Sequence, residues 1–106
     1  MNFDEAIEAL KAGKRVARAG WNGKGMWLCR DKGQKIGPAQ FWNEHTKQFV
    51  YERYMLATSG DTDLTDDDRL TEVLPYIIMK TADNKILMGW LASQSNMLAD
   101  DWTELS

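Results

Sequence analysis

Trp21 sits between Gly20 and the run Asn22-Gly23-Lys24-Gly25. In that setting an indole ring can stand clear of the backbone and stack on a planar ligand. A nucleobase stacked on an aromatic side chain gains roughly 1–3 kcal/mol. Arg15, Arg18 and Lys24 fall within a few positions of Trp21 and can meet phosphate oxygens, Arg being the better bidentate partner. The same tryptophan can instead fold back and plug the end of a sheet, and the residues alone leave both readings open.

A second polar cluster, Ser93-Gln94-Ser95-Asn96, can begin a helical turn whose free amides point towards an anion, while the Gln and Asn amides pair with base edges or ribose hydroxyls. Ordinary helix capping explains the same residues.

Catalytic chemistry is poorly represented. The one histidine, His45, has no partner at motif spacing. The glycines around Lys24 do not follow the spacing of a P-loop. Asp100 and Asp101 are adjacent, so on a strand they point to opposite faces and do not make an acid–base pair. The expectation is a binding protein, not an enzyme. No cofactor is implied. A lone Cys29 excludes an internal disulfide and a cysteine zinc site, and fits a reducing compartment. Residues 59–68 carry five aspartates, yet neither the central glycine nor the closing glutamate of a calcium loop is in place. No metal is therefore expected.

Charge is divided along the chain. Residues 1–38 hold eight Lys/Arg against four Asp/Glu (+4), and residues 39–106 hold five against twelve (−7), for a net −3. Duplex nucleic acid needs an extended positive face and is an unlikely partner. A small anion held by the positive half is compatible, and so are two solvated faces of opposite sign. No apolar stretch approaches membrane-spanning length and the opening Met1–Glu5 lacks a basic leader, so the expected location is the cytoplasm and no membrane partner is expected.

These residues need a frame, and 106 residues are enough for one domain, spanning 1–106, which buries only about two-thirds of its unfolded surface. Phe3, Ala6, Ile7 and Leu10 share one helical face, Asn2 and Glu5 are set as a capping box, and Gly13 ends the helix. Residues 14–18 and 26–30 read as a hairpin with a glycine-rich tip at 20–25. Residues 31–38 read as a loop, with Pro38 starting a new element. Over 39–58 the spacing of Phe41, His45 and Phe49 predicts a helix to about Lys47, and Gln48-Phe49-Val50-Tyr51 predicts a strand after it. Residues 59–68 read as a mobile acidic loop inside a variable 39–72 segment. Leu74–Lys80 and Lys85–Leu91 form a second hairpin around a turn at 81–84, Ser93 caps a helical turn to about Leu98, and Trp102–Leu105 closes as a strand. The sum is α+β: an N-terminal helix followed by an antiparallel sheet.

Two ordered blocks carry a resemblance. Asn2-Phe3, then Gly13-Lys14-Arg15-Val16-Ala17-Arg18 and Gly20-Trp21-Asn22-Gly23-Lys24-Gly25-Met26, together with Pro75-Tyr76-Ile77, Met79-Lys80-Thr81-Ala82-Asp83, Gly89-Trp90-Leu91, Ser93-Gln94 and Leu98-Ala99-Asp100-Asp101-Trp102, resemble the phage Thoeris anti-defence protein type-two family. They cover about half the chain. The resemblance implies a sponge that sequesters, without cleaving it, the glycocyclic ADP-ribose signal made by bacterial TIR-domain enzymes. Some members also hold cyclic dinucleotides. It further implies action in the infected bacterial host, and a homo-oligomer, dimer or tetramer, with pockets between protomers. The implied ligand-binding residues are Trp21, Asn22, Trp90, Ser93, Gln94 and Asn96, joined by Arg18 and Lys24 as cations. The chain departs from the pattern over residues 34–71, and at position 96, where Asn replaces a more usual acidic residue. The alternatives are an inhibitor that binds a host enzyme through its acidic loop, and an enzyme that cleaves the nucleotide.

Overall fold

Asn2 and Glu5 begin the chain's first helix in the way their spacing predicts. The Asn2 side chain accepts the Glu5 amide at 2.9 Å, and the Glu5 carboxylate accepts the Asn2 amide at 3.0 Å. This reciprocal pair satisfies two donors that helix geometry leaves orphaned. The helix, α1, runs Phe3–Lys11, with Asp4 and Glu5 at its positive end and Lys11 at its negative end. A computed structural model describes residues 1–40, 43–60 and 69–105, apart from the side chains at 22–23 and 57–60. The chain divides into two compact units, one of Met1–Lys32 with Pro75–Ser106 and the other of Gly33–Leu74.

In the first unit α1 covers one face of a five-stranded antiparallel sheet. Its strands are β1 (Val16–Arg18), β2 (Trp27–Asp31), β5 (Tyr76–Lys80), β6 (Ile86–Met88) and β7 (Trp102–Glu104), in the spatial order β6-β5-β2-β1-β7. The register sets Val16 against Leu28, Leu28 against Met79 and Arg18 against Trp102. Side chains directly opposite one another share a sheet face. Val16, Leu28, Met79 and Trp102 therefore meet Ala6, Ala9 and Leu10 of α1 in one core. The fold is α+β, with the N-terminal helix leading into the antiparallel sheet as the residue patterns indicate.

The link from β1 to β2 differs from the tight glycine bend expected there. Residues Ala19–Lys24 wind into a 3₁₀ helix that ends at Gly25, whose φ of 67° is left-handed. The Lys80 ammonium donates to the Gly25 carbonyl at 3.0 Å and pins this end to β5. The later hairpin turns through Asn84, also left-handed at φ 63°, a conformation Asn tolerates better than most residues. Ser93 then caps a single helical turn, α3 (Gln94–Met97).

The second unit corrects two expectations. Residues 31–38 are not merely a loop, because β3 (Gln34–Ile36) lies within them and pairs antiparallel with β4 (Thr71–Val73). The strand expected after Lys47 is absent: α2 runs unbroken over Glu44–Gly60. Asn43 accepts the His45 and Thr46 amides at 3.0 and 3.2 Å and so fixes the helix start. The favourable residues Glu44, Lys47, Gln48, Glu52, Arg53, Met55 and Leu56 outweigh the β preference of Phe49, Val50 and Tyr51. Gln48 also donates to Glu52 one turn on, at 3.0 Å. Pro38 opens a short 3₁₀ turn, Pro38–Gln40. Of the acidic segment, Ser59 and Gly60 belong to the end of α2, and 61–68 lie outside the described residues.

Candidate functional site

Trp102 organises the region that holds the candidate residues. It sits on β7 with 1% of its surface exposed, facing α1, and its ring centroid lies 5.6 Å from Phe3. Trp21, from the 3₁₀ turn, approaches it edge-on at 5.4 Å. Trp90, just after β6, does the same at 6.3 Å. Trp21 and Trp90 also meet edge-to-face at 6.3 Å. All three interplanar angles fall between 79° and 82°. Edge-to-face geometry sets the positive rim of one ring against the negative face of the next, worth about 0.5–1.5 kcal/mol per pair beyond area burial.

Trp21 is therefore neither freely displayed nor sealed inside. It is half-buried, packed against the core alongside Trp90, which is also half-buried. Both rings keep surface towards solvent while the third ring beneath them fixes their orientation. A ring held this way meets a planar ligand without first losing side-chain freedom.

The turn α3 is fastened to the same tryptophan. The Trp102 Nε1–H donates to the Asn96 carbonyl at 2.9 Å, and the Ser93 hydroxyl accepts the Asn96 amide at 3.3 Å. Arg18, the last residue of β1, donates through Nε to Asp101 Oδ1 at 2.9 Å and through Nη1 to Asn96 Oδ1 at 3.2 Å. The β1–β7 register makes this possible by setting Arg18 directly beside Trp102. Next to it, the Ala19 amide donates to the Asp101 carbonyl at 2.8 Å. Met1 closes the far side of β7: its ammonium donates to the Trp102 carbonyl at 2.8 Å, and its own carbonyl accepts the Trp102 amide at 3.1 Å.

Of the residues singled out in the sequence, the structure thus joins Arg18, Trp21, Trp90, Ser93 and Asn96 around Trp102. Lys24 and Gln94 are exposed, at the end of the 3₁₀ turn and the start of α3. The side chain of Asn22 lies outside the described residues. Arg15 lies over the Trp27 ring, 5.3 Å from its centroid. Sequence reasoning did not place two members in the site: Trp102, the hub, and Asp101, the partner of Arg18. Both stood in the closing block that carries the resemblance, but nothing local tied Asp101 to Arg18, 83 positions away.

Clear shifts among the described residues lie away from this cluster. Burial pushes the Cys29 thiol up, helped by Asp31. Burial and then Asp31 raise the Tyr76 phenol. The Thr81 hydroxyl and then Lys85 hold the Asp83 carboxyl below its ordinary value. No cluster of three or more metal-ligating side chains occurs among the described residues. A separate cavity of about 510 Å³ is lined by Asp4, Glu5, Glu8 and Glu104 against Lys14, an acidic surround that repels phosphate. No described helix is long and apolar enough to cross a membrane.

Comparison with known proteins adds two findings. The family model for the Tad2-like, or Thoeris anti-defense 2-like, domain matches residues 1–105. A protein of Bacillus phage SP01 described as Thoeris anti-defense 2 is 33% identical over 109 residues, an alignment that spans 100% of this chain and 96% of the relative.

Proposed function

This chain belongs to the Thoeris anti-defense 2-like family, an anti-defence family of phage, and from that premise we propose that it acts as a sponge, binding a cyclic nucleotide signal of the glycocyclic ADP-ribose type and holding it unaltered inside the infected bacterium. The observation that carries the reading is the tryptophan cluster: two partly buried residues, Trp21 and Trp90, braced edge-on by buried Trp102, with the polar turn Ser93–Asn96 tied to the same ring. Adenine stacks on Trp21 or Trp90. Ser93, Gln94 and the Asn96 amide hydrogen-bond base edges and ribose hydroxyls, Lys24 reaches the pyrophosphate side, and Arg18 completes the set through its bond to Asn96.

Capture without conversion needs affinity and no reactive group beside the ligand. Among the described residues the cluster supplies stacking and hydrogen-bonding groups, its one carboxylate, Asp101, is paired with Arg18, and it holds no histidine or thiol of the kind that cleavage of a pyrophosphate or glycosidic bond would call on. A second copy of the chain completes the pocket in this reading. Ile86, Leu87, Met88, Leu91 and Leu98, between 48% and 87% exposed, flank Trp90 and α3 in sequence and supply apolar surface for such a contact. Size-exclusion chromatography with light scattering reads the oligomer directly.

The deciding experiment mixes the protein with glycocyclic ADP-ribose, removes unbound ligand, denatures by heat and analyses the supernatant by mass spectrometry. Intact ligand at near-stoichiometric yield is expected. A cleaved product would make the protein an enzyme, and no retained ligand would end the reading.

A further inference from the structure

We propose that Arg18 is a positioning residue that locks the α3 turn in place, and that it does not clasp the ligand's phosphates. A guanidinium grips a phosphate with two parallel N–H donors, taken from its side edge (Nε with one Nη) or its end edge (the two Nη). In this protein Nε–H, one half of the side edge, is bonded to Asp101 at 2.9 Å, and Nη1 donates to Asn96 at 3.2 Å. The side edge cannot offer a phosphate two donors while the Asp101 bond stands, and a phosphate on the end edge would share Nη1 with Asn96.

The charge is engaged as well. Asp101 pairs with Arg18 at side-chain exposures of 40% and 25%, so the cation meets its counter-ion inside the fold. Removing Asp101 leaves the more shielded Arg18 without its counter-ion, while the Asp101 carboxylate, the more exposed partner, is left to water when Arg18 is removed.

What those bonds hold is the turn. Arg18 reaches across from β1 to Asn96 within α3 and to Asp101 just after it. The Trp102 indole holds the Asn96 carbonyl from a third direction. A helix of four residues cannot hold its own shape by internal bonding. Its geometry is therefore set by outside contacts, of which Arg18 supplies one directly, to Asn96, while its bond to Asp101 ties down the chain that leaves the turn. The functional consequence rests on the capture reading above: Ser93, Gln94 and Asn96 present a fixed pattern to the ligand only while Arg18 and Asp101 both remain. The cation that faces the pyrophosphate is then Lys24, exposed at the end of the 3₁₀ turn.

The test compares wild type with R18Q, D101N and the double variant R18Q/D101N. Affinity for glycocyclic ADP-ribose is measured by calorimetry across a sodium chloride series, and amide hydrogen exchange is followed at Met97 and Leu98, whose N–H groups donate to the Ser93 and Gln94 carbonyls. Each single variant is expected to weaken capture by tenfold or more and to speed exchange at both amides by a similar factor. The double variant is expected to be no worse than the weaker single one, since both remove the same bridge. The salt dependence of binding stays that of wild type, because no ligand-facing charge has been lost. The proposal is overturned if R18Q flattens the salt dependence while D101N preserves or tightens binding and exchange at α3 does not change. Those results would make Arg18 a direct phosphate ligand. Should wild type fail to bind the nucleotide, the capture reading falls, and the exchange data still decide whether Arg18 and Asp101 position the turn.

Discussion

Replacing Trp21 with Ala separates the two things this ring does. In the fold it makes edge-to-face contacts with Trp102 at 5.4 Å and Trp90 at 6.3 Å. At about 0.5–1.5 kcal/mol each, the ring pairs account for about 1–3 kcal/mol, and the lost packing of the indole brings the cost to the fold to at most about 3–5 kcal/mol. A domain of this size typically holds 5–15 kcal/mol, so the variant is expected to remain folded while its urea midpoint falls. In capture, the lost stacking surface is worth about 1–3 kcal/mol, which corresponds to an affinity roughly 5- to 150-fold lower. Loosening of Trp90, now missing one neighbour, pushes the effect towards the upper part of that range, and we expect at least tenfold. W21F is the control, since it keeps an aromatic ring against Trp102 and should recover most of the stability and part of the affinity. Equilibrium urea unfolding followed by circular dichroism gives the first quantity, and calorimetry with glycocyclic ADP-ribose gives the second. Unchanged affinity in a folded W21A protein would remove Trp21 from the site. An unchanged urea midpoint would refute the packing argument.

Two further outcomes test the frame around the site. Asn2→Ala removes the acceptor for the Glu5 amide and breaks the capping box; a loss of about 0.5–2 kcal/mol should appear as a fall of several degrees in the thermal midpoint, with ligand affinity unchanged. Asp83→Asn tests the hairpin between β5 and β6. The Asp83 carboxyl is held below its usual 3.8 by the Thr81 hydroxyl and then Lys85, so its contribution is present above that value and fades as pH falls through the depressed one. The variant should melt lower than wild type at neutral pH, and the gap should close in strong acid. A gap that persists or widens in acid would reverse the sign.

What could be read from the residues depended on how far apart the interacting groups lie. α1 was legible because its cap, its apolar stripe and its stop all fall within about a dozen residues. The β5–β6 hairpin and the Ser93 cap were legible for the same reason. α2 was misread where Gln48-Phe49-Val50-Tyr51 satisfied both periods at once, and the deciding evidence, the helix-favouring residues on either side, lay outside that window. β3 and β4 were missed because each has three residues and its only partner is more than thirty positions away. A strand that short has no periodic signal of its own.

The same distinction governs the candidate site. Trp21 was conspicuous for its glycine-rich surroundings, and from them the ring had to be either displayed or folded back. The fold makes it half of each, because Trp102, 81 positions away by number, and Trp90 pack against the ring and leave the residue partly buried. Arg18 drew attention as a cation beside an aromatic, the pattern expected of a phosphate contact, and the pairing of β1 with β7 adds a partner for it within the fold, Asp101. Local sequence therefore identifies which side chains gather at a site more readily than it assigns their roles. A cation's role depends on whether its counter-ion is a ligand or a distant residue of the same chain, and that is decided by strand register.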